Sequence, residues 1–140
     1  MSADLILAGK PHIEVSADPA AGAEATITVP AGATWLILSA TTTCAQGATQ
    51  TPWPYLAIKS AAGTQLVAFP GASDDMDASV TSTFTWAPGL ALTAAAALTV
   101  NTAPIPDTLL LKGGMKVETS TDGIGANTNY SPLTLWVIAL

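Results

Sequence analysis

Apolar and polar residues alternate with a period of two along most of this chain, in short runs separated by glycine- and proline-bearing breaks. Ala25, Ile27 and Val29 stand opposite Glu24, Thr26 and Thr28, and Pro30-Ala-Gly32 then turns the chain. Residues 35–43 form a second run that ends in threonines and Cys44, β-branched residues suited to a pleated surface. Residues 55–59 and 65–69 flank a hairpin-sized Ser60-Ala-Ala-Gly-Thr64. Residues 78–86 place Val80, Ser82, Phe84 and Trp86 on one side. In residues 90–100 the alanines at 94–97 favour helix by propensity, but Leu92-Thr93 and Leu98-Thr-Val100 have strand character, and the segment is assigned as strand.

The last third holds the densest pattern. Two β-type runs flank Lys112-Gly113-Gly114, and Gly-Gly supplies the positive φ angles of a tight hairpin turn. The final run, residues 132–140, is apolar on both sides: Leu133, Leu135, Val137 and Ala139 at odd positions, Trp136, Ile138 and Leu140 at even ones. A strand with one wet face would alternate, so this one is expected to be covered twice. One face would enter the core and the other would be a subunit interface. The pattern does not say which, so Leu133, Leu135, Trp136, Val137, Ile138 and Leu140 all stand as interface candidates.

These runs predict an all-β fold, an antiparallel β-sandwich or jelly roll of eight or nine short strands with an N-terminal arm. Residues 1–22 are the arm or an edge strand, with Leu5, Ile6, Leu7, Ile13 and Val15 as its apolar positions and a Pro/Ala/Gly linker behind them. Residues 23–140 form a single domain.

Composition narrows the function. Charged residues make up 10% of the chain, against about 25% in an average soluble domain. There is no arginine, and four lysines face ten carboxylates for a net charge of −6. Phosphate neutralisation needs clustered bases, so nucleic acid is excluded as a partner, and an anionic membrane surface with it. Mean hydropathy is positive at +0.44. Yet the longest uncharged apolar run, residues 90–100, is about half of the ~20 residues a membrane helix needs. The first ten residues carry an acid where a signal peptide wants bases, so no export signal is expected. A surface with so few charges is expected to be occupied by partners.

Candidate chemistry is sparse. His12 has only Glu14 as a neighbour able to assist it, and Cys44, the lone cysteine, has no base near it in sequence to favour a thiolate. Asp74-Asp75-Met76-Asp77 is a carboxylate cluster whose spacing matches no ordered calcium loop, and it reads as a solvated turn. Trp53-Pro54-Tyr55 is the most suggestive aromatic group, either a cap on the end of the sandwich or an exposed anchor for a sugar or a protein. Nucleophile elbows, phosphate loops and Cys/His clusters are absent. The chain is expected to be no enzyme and to need no cofactor.

Val29-Pro-Ala-Gly-Ala-Thr-Trp-Leu36 at the start, and Ala103-Pro-Ile-Pro106 with Leu109-Leu-Leu-Lys-Gly-Gly-Met115 and a terminal strand at the end, resemble small structural proteins of tailed bacteriophages. The family resembled is that of jelly-roll capsid decoration (cement) proteins, over about residues 24–140. That resemblance implies a homotrimer on the capsid exterior that binds the phage major capsid protein and stabilises the shell. The protein would be made in the host bacterial cytoplasm. Related folds serve as tail, connector and fibre components, and a carbohydrate-binding jelly roll using Trp53 and Tyr55 is the competing class.

Overall fold

The threonine triplet at residues 41–43 lies in the longest strand of the chain. In the computed structural model, which describes residues 10–47, 51–94 and 98–140, the twelve residues of β3 (Thr34–Ala45) form the spine of a sheet. One side of β3 pairs with β11 (Thr134–Ala139) and then β10 (Asn129–Tyr130); the other pairs with β8 (Leu110–Lys112) and then β6 (Thr81–Trp86). Beyond β11 lies β1 (Pro11–Val15), and beyond β6 lies β7 (Val100–Ala103), giving a seven-stranded sheet. A second, four-stranded sheet runs β2 (Thr26–Thr28), β9 (Lys116–Asp122), β4 (Trp53–Lys59), β5 (Gln65–Pro70).

The inner faces of the two sheets close on one core. Ile37, Phe84, Trp86, Leu135 and Val137 from the larger sheet meet Ile27, Leu56, Ile58 and Val117 from the smaller. The fold is an all-β sandwich, with eleven strands among the described residues. Trp86 is fully buried, and its indole N–H donates to the carbonyls of Phe69 and Pro70, both at 3.2 Å. A buried tryptophan needs such a partner, and here it fastens the larger sheet to the end of β5. Gly71 follows directly: a Cβ there would stand 2.7 Å from Phe84 Cδ1 and 2.8 Å from Trp86 Cζ2.

Three expectations are corrected. Gly113-Gly114 does not make a hairpin. Met115 N donates to Lys112 O at 3.1 Å, but β8 joins the larger sheet and β9 the smaller, so this turn is a corner between sheets. A Cβ on Gly113 would come within 2.7 Å of Pro30 O, and Gly114 has a φ of +90°, so both glycines are required for the crossing. Residues 90–94 are not in a strand; strand structure begins only at Val100. Finally, the larger sheet is not purely antiparallel, because β7 pairs with β6 in parallel. A parallel neighbour needs a crossover of a dozen or more residues, and residues 87–99 supply it. Part of that crossover is tied to β7: Thr93 N donates to Thr102 O at 3.1 Å, and the Thr93 hydroxyl donates to Asn101 Oδ1 at 2.9 Å.

Candidate functional site: an uncharged sheet face

Alternation sends every second residue of the larger sheet outward, away from the sandwich. The registers place these residues in rows across the strands. Pro11, Ile138, Leu36 and Leu110 form one row; Ile13, Trp136 and Ser39 form the next. Val15, Thr134, Thr41, Thr85 and Thr102 follow. The apolar end merges into a plateau of threonines, in which the hydroxyls of Thr43 and Thr83 pair at 2.9 Å and those of Thr41 and Thr85 at 3.3 Å. By register, the charged side chain on this face among the described residues is Lys112, at the corner where β8 ends beside Thr34.

Several large apolar side chains here are open to solvent. Ile13 is 61% exposed, Val15 58%, Trp136 52% and Leu110 51%. Isolated exposed apolar residues are ordinary, but a contiguous group marks a surface that another molecule covers. The terminal strand resolves into its two faces. Leu133, Leu135 and Val137 are fully buried in the core and have no surface to offer a partner. Trp136 and Leu140 are exposed, and Ile138 is buried between its register neighbours Pro11 and Leu36. β11 alternates without a break, which sends Trp136 outward and Val137 inward. A β-bulge re-phases the partner strand, since Val137 pairs with Ile37 but Trp136 pairs with Ser39, and Leu38 is the extra residue on β3.

Of the arm candidates, Ile13 and Val15 sit on β1, on this same outer face. Leu5, Ile6 and Leu7 lie outside the described residues. The inward side of β1 carries His12, whose Nε2 meets Glu14 Oε1 at 3.0 Å and whose ring edge packs on Trp35. That is a packing role with a local partner.

The smaller sheet presents a different outer face. Lys59 is ion-paired with Glu118, Thr26 donates to the same carboxylate at 2.7 Å, and Lys116 and Asp122 stand on the same side of β9. Trp53 and Tyr55 are half-buried here, with ring centroids 5.4 Å apart at 40°. The Trp53 indole donates to Ala72 O at 2.9 Å. The two faces therefore differ in kind: among the described residues one carries Lys112 at a corner and no carboxylate, and the other carries the Lys59–Glu118 ion pair.

A polar network closes one end of the sandwich. Glu24 accepts from the Thr119 hydroxyl at 2.6 Å, from the Thr121 hydroxyl at 3.0 Å and from Thr121 N at 2.7 Å. Burial still pushes its carboxyl above the usual value, the hydrogen bonds from Thr119 and Thr121 opposing that and Glu118 adding to it. The Thr121 hydroxyl also meets Tyr130 Oη. Burial raises the Tyr130 phenol as well, and it raises the Cys44 thiol to about 11. A thiol held protonated is a poor nucleophile. Among the described residues no group of three or more His, Cys, Asp or Glu side chains could hold a metal ion. No helix there is long and apolar enough to cross a membrane.

No protein-family model and no curated protein sequence matches the chain. Among solved structures it is similar to chains of infectious bursal disease virus. The Gx strain structure aligns at a TM-score of 0.43 and 12% identity, over 94% of this chain and 32% of that one. The Gt strain structure aligns at 0.40 and 11% over the same shares, and a T13 particle of the same virus at 0.35 and 12%. This chain thus spans about a third of the length of those it matches. At that distance the likeness decides nothing about function.

Proposed function

We propose that the chain is a structural virion protein, a capsid decoration (cement) protein that self-associates as a trimer and binds the outer surface of a phage head. The observation that carries this reading is the outer face of the larger sheet, free of carboxylates among the described residues, where Trp136 stands exposed beside Ile13. Interface cores are depleted in charge and enriched in aromatic residues. A molecule with a net charge of −6 repels its own copies, and a face without carboxylates is where two copies can meet with least repulsion and least charge desolvation. The resemblance of the turn and strand pattern to decoration proteins supports the same reading. A cement protein needs binding surfaces and no active site: it stabilises the shell by binding the assembled lattice and not the free subunits, and repetition over many copies makes modest contacts count.

In this scheme the outer face, through Trp136, Leu140 and their neighbours, joins copies of the chain. Leu5, Ile6 and Leu7, just before β1 in sequence, contact the major capsid protein. The test is co-sedimentation of the purified protein with phage heads. Binding is expected for the wild type and is expected to be lost when Leu5, Ile6 and Leu7 are together replaced by serine, with the oligomer unchanged. Heads that pellet without the wild-type protein contradict the proposal.

A further inference from the structure

The outer face of the smaller sheet has a trough that the assembly role does not use. It encloses about 330 Å³ and is lined by Tyr55, Gln65, Ala68, Ser120, Thr121 and Asp122, a volume at the lower end of small-ligand sites. The registers explain how it arises. Tyr55 stands between Ser120 on β9 and Pro70 on β5, and the next position along β4 on the same face is Ala57, opposite Ala68. Small residues follow the tyrosine and leave its ring as a wall above a shallow floor. Trp53 abuts that ring, and the Trp53 indole is itself anchored on Ala72 O. The aromatic wall is thereby held before any ligand arrives.

We propose that this trough binds a neutral saccharide, one pyranose ring lying against Tyr55. The apolar C–H face of a sugar suits an aromatic ring, while its hydroxyls need a mixture of donors and acceptors. Asp122 offers two acceptor oxygens, the Gln65 amide offers both kinds, and Ser120 adds a hydroxyl. The lining holds one carboxylate and no cation, and the adjacent Lys59 is paired with Glu118. Phosphorylated, sulfated or uronic sugars would meet uncompensated repulsion there, so the ligand class is uncharged.

The probes are the methyl glycosides of glucose, galactose, mannose and N-acetylglucosamine, each added at millimolar concentration to the full chain and followed by saturation-transfer NMR. At least one is expected to receive saturation at its ring C–H protons. Tyr55→Ala should weaken that binding about tenfold, the loss expected for one aromatic contact. Asp122→Asn, at an exposed position where folding is not at stake, should weaken it as well. Trp136→Asp, on the opposite sheet, should leave it unchanged. Absence of transfer to all four sugars overturns the proposal, as does transfer that survives both Asp122→Asn and Tyr55→Ala. Neither result bears on capsid binding, which uses the other face.

Discussion

Ile13 on β1 lies directly across the strand pair from Trp136 on β11, and both point away from the sandwich with more than half of their surface open. That pairing joins a residue near the start of the chain to one near its end. It makes the edge of the larger sheet an apolar patch that runs into the threonine rows.

Trp136 is therefore expected to matter to association and not to folding. At a concentration low enough that both proteins are monomeric, Trp136→Asp should shift the urea midpoint by no more than the equivalent of about 0.5 kcal/mol, as for other exposed positions. Where the wild type associates, the variant's mass by light scattering should fall to that of a monomer. Large destabilisation would place Trp136 in the core and contradict its assignment.

Leu135, one position earlier, faces the other way and is fully buried. Leu135→Ala should cost about 2–5 kcal/mol, the transfer loss plus the cavity left behind. Urea unfolding followed by tryptophan fluorescence checks this, and a cost near that of Trp136→Asp would contradict the inward and outward split.

Gly71 sits where a methyl group would collide with Phe84 and Trp86. Both rings are fully buried and cannot move aside freely. Gly71→Ala is expected to destabilise by about 1–3 kcal/mol through overpacking. The companion variant Phe84→Leu should recover part of that loss by making room; additive losses in the double variant would rule out the collision with Phe84.

Glu24 links stability to pH. Burial raises its carboxyl in the folded protein, against the hydrogen bonds from Thr119 and Thr121, while the unfolded chain keeps the ordinary value. The folded state thus holds the proton more tightly. The cost of ionising in the fold is absent below the ordinary carboxylate range and complete above the raised value, so this group makes stability fall as pH rises between the two. Glu24→Gln should flatten that part of the curve, measured as urea midpoints across a pH series. An unchanged slope would mean that Glu24 ionises freely in the fold.

Much of this architecture was legible in the sequence. Period-two runs located β2 and β6, because a half-buried strand repeats one residue in, one residue out, and β-type runs bounded by turn residues located β3, β4, β5 and β11. What was not legible depended on contacts distant in sequence. Gly113-Gly114 announces positive φ but not which sheet each flanking strand will join, so a corner and a hairpin share the same local signature. β7 finds a parallel partner only through a long crossover that no local pattern reports, and Asn101 on β7 is buried with its amide donating to Ser82 Oγ at 2.8 Å. Residues 133–140 are apolar on both sides, so alternation alone could not choose the inner face; the place of β11 between β1 and β3, with Leu133, Leu135 and Val137 in the core, decides it. The uncharged face was foreshadowed by the absence of arginine and the threonine-rich strands, but its continuity comes from register. Tyr55 was visible as an aromatic candidate. Gln65, Ser120 and Asp122, brought beside it from β5 and β9, carried no local signal.

In the proposed assembly the outer face of the larger sheet joins copies of this chain. Size-exclusion chromatography with light scattering, run on the wild type and on Trp136→Asp at the same concentration, tests it most directly. The wild type is expected to elute with the mass of a trimer and Trp136→Asp with the mass of a single chain. A wild-type protein that is monomeric, or a variant that keeps the wild-type mass, would contradict it.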